Sequence, residues 1–149
     1  MESISPGPLV RIHTTRGTLT AKQVVIAAGP WTSKLIEPLH LKLPLQPYRI
    51  DNMYWSVDNP QSMSAHCKPC GMPIFIKVGS PDMYGTPILE YPGLVKVCAH
   101  GGIPIDPDKR DETQGAPSTP SVKNFIASHF RGVDATSPYI VEYLSLIHI

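Results

Sequence analysis

Cysteine is scarce in this chain, three in 149 residues, and three thiols cannot all pair. That excludes a disulfide-stapled extracellular module and fits a reducing intracellular compartment better. No apolar run approaches the roughly 20 residues of a membrane span, so no membrane partner is expected. The opening Met1-Glu-Ser-Ile-Ser-Pro6 has no basic stretch leading into an apolar one, so it does not read as a secretory signal. Charge is nearly balanced, at a formal net of +1, with no Lys/Arg run, which argues against nucleic acid as a partner. A Gly-x-Gly-x-x-Gly nucleotide fingerprint is absent, and no internal repeat is found.

What the chain has in excess is proline, 17 residues, about twice the usual share. The prolines fall between strand-like runs, so they predict many short strands and few long helices. The strand expectations are 9–13, 18–27, 48–57, 74–78, 83–86, 88–91 and 94–100. One helix is clear: Thr119 as cap, Pro120 in the first turn, an apolar stripe of Val122, Phe125, Ile126 and Phe130, and Gly132 beyond its end. Residues 105–118, rich in Pro and Asp, read as a surface loop. At this length the chain can form one ordinary core.

Residues 24–31, Val-Val-Ile-Ala-Ala-Gly-Pro-Trp, are the most informative stretch. Contiguous β-branched residues that stop abruptly at small ones predict a buried strand, then a turn, then a short helix over 32–38. Such a strand–turn–helix places bare backbone N–H groups beside a nucleotide. Ala28, Gly29, Pro30 and Trp31 are therefore candidate cofactor-binding residues. An ordinary buried strand and its turn remains the plain alternative.

Lys96, Cys98 and His100 alternate along one expected strand and so share a face. Tyr84 lies on the preceding strand, across a turn around Glu90-Tyr-Pro-Gly93. A hairpin of this kind gathers a phenol, an ammonium and an imidazole, with Val95 and Val97 turned the other way. Read from spacing alone, that polar face is more often simply solvated surface. Cys67-Lys-Pro-Cys70, with His66 alongside and Cys98 and His100 downstream, could in principle supply four zinc ligands. A redox motif would need a helix after it, which Gly71-Met-Pro73 breaks. No metal is expected, and the cysteines read as incidental reduced thiols.

Val10-Arg-Ile-His-Thr-Thr-Arg-Gly-Thr-Leu-Thr-Ala-Lys-Gln-Val-Val-Ile-Ala-Ala-Gly-Pro-Trp-Thr32, then Leu43-Pro-Leu-Gln-Pro-Tyr-Arg49, resembles the sarcosine and pipecolate oxidase branch of the D-amino-acid-oxidase-like flavoproteins. The likeness continues through Met83-Tyr-Gly-Thr-Pro87 and Glu90-Tyr-Pro-Gly-Leu-Val-Lys-Val-Cys-Ala-His100 to Asp106-Pro-Asp-Lys-Arg-Asp111. It covers most of residues 9–143 and is strongest to the peroxisomal members. It implies an α+β chain: residues 1–44 as part of an FAD-binding α/β domain, 45–143 as most of a mixed-sheet substrate domain with a covering helix. It also implies that the chain is an internal piece of a longer enzyme, monomeric when complete and peroxisomal. That enzyme would use FAD and oxygen to oxidise a secondary amino acid such as sarcosine or L-pipecolate to an imine, releasing hydrogen peroxide.

By the same resemblance Tyr84 and His100 line the substrate cavity, and Lys96 sits beside the flavin ring and promotes its reaction with oxygen. Arg49 is placed with the cofactor as a domain-crossing residue; ordinary surface pairing is its alternative. The cysteine that carries covalent FAD in the family would fall near position 144, where this chain has Leu144. The closing Leu144-Ser-Leu-Ile-His-Ile149 resembles the translation of a sequencing-library adapter, and is expected to be a non-native tail. The piece itself is expected to be inactive. Rival readings are a related D-amino-acid oxidase or flavin dehydrogenase, and a non-catalytic zinc-binding module built on Cys67 and Cys70.

Overall fold

The computed structural model describes residues 3–67, 71–112 and 115–148, with side chains up to residue 141. It divides into two compact units. One comprises Met1–Tyr48, Pro104–Asp111 and Leu144–Ile149; the other comprises Arg49–Ile103 and Glu112–Tyr143. The sequence division at 44/45 thus meets a structural one at 48/49, and residues 104–111 group with the N-terminal unit.

In the first unit β1 (Ser3–Ser5), β2 (Val10–Thr14) and β3 (Gly17–Ala21) form an antiparallel meander. The β2–β3 turn is tied by Thr14, whose hydroxyl donates to the Gly17 carbonyl at 2.8 Å and accepts from the Arg16 N–H at 3.1 Å. The strand expected over 18–27 is therefore cut short at Ala21. Val24–Ile26 belongs to no ladder, and Val25 is 90% exposed. The reason is physical: an apolar run becomes a buried strand only when other strands flank it, and among the described residues none does. The turn and helix that follow form as expected. A 3-10 turn at Gly29–Trp31 leads into α1 (Thr32–Ile36) and a second 3-10 turn at Glu37–Leu39.

The larger sheet has the order β5-β6-β7-β4-β8, with β9 also pairing β4. Its strands are β4 (Leu45–Ser56), β5 (Phe75–Lys77), β6 (Met83–Thr86), β7 (Leu94–Ala99), β8 (Ile103–Pro104) and β9 (Tyr139–His148). The β5–β6, β6–β7 and β4–β7 pairings are antiparallel. Leu144–His148, within the segment expected to be a non-native tail, continues β9. Residues 88–91, expected as a strand, contribute only a bridge from Ile88 to Cys67 before the chain turns at Gly93. Two longer helices, α2 (Pro60–His66) and α3 (Thr119–His129), and a 3-10 turn at Pro107–Lys109 are also present.

The α3 stripe packs as its periodicity requires. Val122 and Ile126 are fully buried in one cluster with Met53, Trp55, Met83, Val95, Val97 and Cys98, and Phe125 and Phe130 pack against that cluster. Each such aliphatic burial contributes about 1.5–3 kcal/mol. Ser118, rather than Thr119, occupies the cap position, and the helix stops at His129 because Phe130 is already extended. One glycine is essential to this packing. A Cβ on Gly85 would stand 2.5 Å from the Phe75 ring and 2.6 Å from the Lys96 carbonyl, so β6 can pass between them only bare. Among the described residues no helix is long and apolar enough to cross a membrane.

The arrangement bears out an α+β chain of helices and antiparallel sheet.

Candidate functional site

Register sets which side chains can meet. Across β6–β7, Tyr84 stands opposite Cys98 and Thr86 opposite Lys96; across β4–β7, Tyr54 stands opposite Lys96. Alternation then puts Asn52, Tyr54, Tyr84, Lys96 and Cys98 on one face of the sheet. Met53, Trp55, Val95 and Val97 take the other face, under α3. His100 lies one residue past β7, where its N–H bonds the Asp82 carbonyl at 2.8 Å, and its ring meets the Tyr84 ring edge-on at 6.1 Å. Tyr84 and His100 are therefore neighbours, and Lys96 shares the sheet face of Tyr84.

Around Lys96 the structure supplies partners that strand alternation alone did not name. Its side chain is 15% exposed, and the ammonium lies 3.3 Å from Glu90 Oε1 and 5.4 Å over the Tyr54 ring. The Tyr54 hydroxyl donates to the other Glu90 oxygen. Tyr54 and Lys96 together hold the Glu90 carboxyl below its ordinary range, the tyrosine hydrogen bond first. Nearby, the Tyr84 hydroxyl donates to Asn52 Oδ1 at 2.6 Å, and burial, then Cys98, pushes its ionisation up. Tyr84 is thus a neutral donor at any physiological pH. Cys98 is sealed beneath it, accepting the Met53 N–H at 3.1 Å, and burial raises its thiol as well. A buried thiol of that kind is inert packing.

The sign of the Glu90 effect fixes a pH dependence. A carboxyl depressed by folding contributes stability that is present above its unfolded value, about 4.3, and is lost as pH falls through the lower folded value. Wild-type thermal stability should fall more steeply than that of Glu90→Gln between about pH 5 and 3. Parallel melting profiles for the two proteins would show the Tyr54–Glu90–Lys96 linkage to be idle.

The remaining candidates lie elsewhere. Arg49 is 2% exposed on β4, in step with Asp51, Met53 and Trp55 on the helix-covered side of the sheet. Its Nε faces Asp51 at 3.2 Å and its Nη2 donates to the Gly115 carbonyl. In the other unit, Gly29 has φ +51°, a left-handed conformation natural to glycine, and nothing lies within 4 Å of where a Cβ would stand. The Trp31 N–H closes the turn onto the Ala28 carbonyl at 3.1 Å. Backbone there is bare and approachable, as a ligand turn requires. Cys70 lies outside the described residues, and among those described no three His, Cys, Asp or Glu side chains gather as metal ligands.

Comparison with known proteins now decides the family. A peroxisomal sarcosine oxidase from Mus musculus is 37% identical over 143 residues, 93% of this chain and 36% of the relative. Its Homo sapiens counterpart is 43% identical over 109 residues, 72% of this chain and 27% of the relative. A monomeric sarcosine oxidase from Arthrobacter is 35% identical over 100 residues, 66% of this chain and 25% of the relative. The chain belongs to the sarcosine oxidase family.

It spans about a third of the length of the curated relatives it matches. No family model matches it. Among solved structures, the open form of NikD, an unusual amino acid oxidase essential for nikkomycin biosynthesis, matches with a TM-score of 0.73 at 21% identity. That match covers 98% of this chain and 38% of NikD, and shows that the chain shares the fold of that part of NikD.

Two of the polar neighbours, Asn52 and Tyr54, carried a weak signal in the sequence. They alternate along the 48–57 strand as Lys96 and Cys98 do along theirs. What could not be read was that β4 would pair with β7, since the register joins residues some forty apart.

Proposed function

We propose that the chain is part of an FAD-dependent oxidase of secondary amino acids, sarcosine or L-pipecolate, releasing hydrogen peroxide. One observation carries the reading: Tyr84 and Lys96 share a sheet face, with the His100 ring edge-on to Tyr84, in a chain related to sarcosine oxidases over most of its length.

The residues present fit part of a flavin site. Beside Tyr84 the same face continues through Ile76, its cross-strand partner, with Ile74 and Val78 two residues to either side; these are 70–83% exposed. That apolar strip with an ammonium at its far side suits a flat, partly charged ring system. Separately, the bare Ala28–Trp31 turn suits a nucleotide. FAD, when bound, would supply the two-electron chemistry by which the substrate's C–N unit loses two electrons and two protons to leave an imine and oxygen gains two electrons and two protons to become hydrogen peroxide.

The chain's own groups would orient and polarise. Tyr84, its proton given to Asn52, offers a hydroxyl oxygen as acceptor to the substrate, and the His100 ring beside it offers a second polar contact. Lys96 supplies fixed positive charge where negative charge develops on oxygen, which poorly solvated surroundings make more effective. Glu90 orients that ammonium. A peroxisomal home for the complete protein is supported by the names of its mouse and human relatives, and a monomeric state by the name of its Arthrobacter relative.

The 149-residue chain alone should bind no FAD tightly and form no peroxide, because it carries one turn of the nucleotide site and Leu144 where the family resemblance places the flavin-bearing cysteine. A yellow purified protein, or peroxide above background with sarcosine or L-pipecolate, contradicts that. The enzyme that contains this segment should produce peroxide with at least one of the two substrates; failure with both overturns the proposed function.

A further inference from the structure

The first unit carries a polar cluster that the proposed chemistry does not use. The Trp31 indole N–H donates to Asp108 Oδ1 at 2.8 Å, across 77 residues of sequence. Lys34, on the first turn of α1, donates to both Asp106 and Asp108. Asp106 in turn accepts the Asp108 N–H at 3.1 Å, fixing the 3-10 turn Pro107–Lys109. Arg110 stacks 5.5 Å over the Trp31 ring. Apart from the Asp106–Asp108 bond within the loop, each of these contacts joins the one loop to the turn at 29–31 or to the helix directly after it.

A lone tryptophan on a 3-10 turn has no reason to stay put: Gly29–Trp31 buries no residue, and no capping side chain holds it. Its Gly29 backbone is left-handed and open on the side a ligand would approach. The loop therefore does for this turn what neighbouring strands do for a nucleotide turn in a complete sheet. It clamps the indole and the following lysine from behind and leaves the backbone in front bare.

We propose that Asp108, acting through Trp31 and Lys34, is a positioning residue for the Ala28–Trp31 turn. This rests on the reading of that turn as a flavin-nucleotide contact. Asp108 touches no cofactor; it sets the geometry of the residues that would. Lys34 holds both carboxyls below their ordinary range, with Trp31 adding to the effect at Asp108, so the clamp is charged at neutral pH and loosens only in acid.

The test has two arms. In the 149-residue chain, amide hydrogen exchange at Trp31 reports the turn directly. Asp108→Ala should lower its protection about fivefold, the range of an exposed charged pair, while β2 and β3 amides stay unchanged. Asp108→Asn keeps the acceptor for the indole and should restore most of that protection, and unlike wild type it should show little loss as pH falls. Equal protection in wild type and Asp108→Ala overturns the proposal, as does a loss that spreads equally to β2 and β3. In the enzyme containing this segment, Asp108→Ala should raise the FAD concentration for half-maximal reconstitution by a similar factor, with a smaller change in turnover at saturating FAD. An unshifted FAD requirement in an enzyme that does reconstitute overturns the positioning role and leaves the flavin reading standing. A wild-type enzyme that takes up no flavin overturns that reading, and with it the role assigned to Asp108, whatever exchange shows.

Discussion

Replacing Lys96 with methionine in the complete enzyme should slow oxygen reduction by about 100-fold or more, the usual cost of removing a charge-stabilising group aimed at a developing anion. Reduction of the flavin by substrate should change far less. The argument is one of timing. Substrate oxidation is finished before oxygen gains charge, so an ammonium that acts on oxygen is felt in the second half-reaction only. Methionine keeps the length of the side chain over Tyr54 and removes the charge, so packing between β4 and β7 is largely preserved. Rapid mixing separates the two half-reactions. Equal slowing of both, or an unaffected oxygen step, would make Lys96 a structural partner of Glu90 and Tyr54 and nothing more.

The β6–β7 hairpin and the α3 stripe were legible in the sequence because local pattern decides them. Met83–Thr86 was bounded by a turn proline, Leu94–Ala99 alternates cleanly, and Val122, Phe125, Ile126 and Phe130 recur at helical spacing. Both the sharing of a face by Lys96 and Tyr84 and the burial of Val95 and Val97 follow from period two once the pairing exists. The failures lie where local pattern needs distant support. Val24–Ile26 has every intrinsic mark of a strand, yet burial is a property of neighbours, and among the described residues no neighbour arrives. Residues 88–91 were apolar enough for a strand but had to turn to close the hairpin. Helix α2 was missed although its signal was present: Asn59 caps it by accepting the Ser62 N–H, and Pro60 takes the first turn. Glu90 was missed as a site residue because its role depends on Tyr54, brought there by a long-range register. Trp31 was singled out for the nucleotide turn; its clamp at Asp108 was invisible because the contact spans most of the chain.

Trp55→Ala should be the most damaging substitution in the second unit, destabilising it by about 3–5 kcal/mol. Trp55 is fully buried, stands opposite Val95 in register, and packs in the cluster that α3 covers. Its indole N–H donates to the Val97 carbonyl at 2.8 Å, so truncation both opens a cavity and removes that carbonyl's side-chain donor. A domain stable by about 5–15 kcal/mol loses a large share of that margin. Trp55→Phe keeps most of the volume and should cost clearly less, since it forfeits chiefly the hydrogen bond. Denaturant unfolding of both variants measures the difference, and a Trp55→Ala loss below about 1 kcal/mol, well under the usual cost of such truncations, would contradict the packing described. The consequence reaches the other face of the sheet. Tyr54 is the next residue along β4 and Lys96 the next along β7, so the backbone that Trp55 holds in register is the same backbone that carries the tyrosine and the ammonium. A core that relaxes around a missing indole should therefore loosen the Tyr54–Glu90–Lys96 linkage, and Trp55→Ala should lose the Glu90-dependent part of the acid sensitivity that wild type shows.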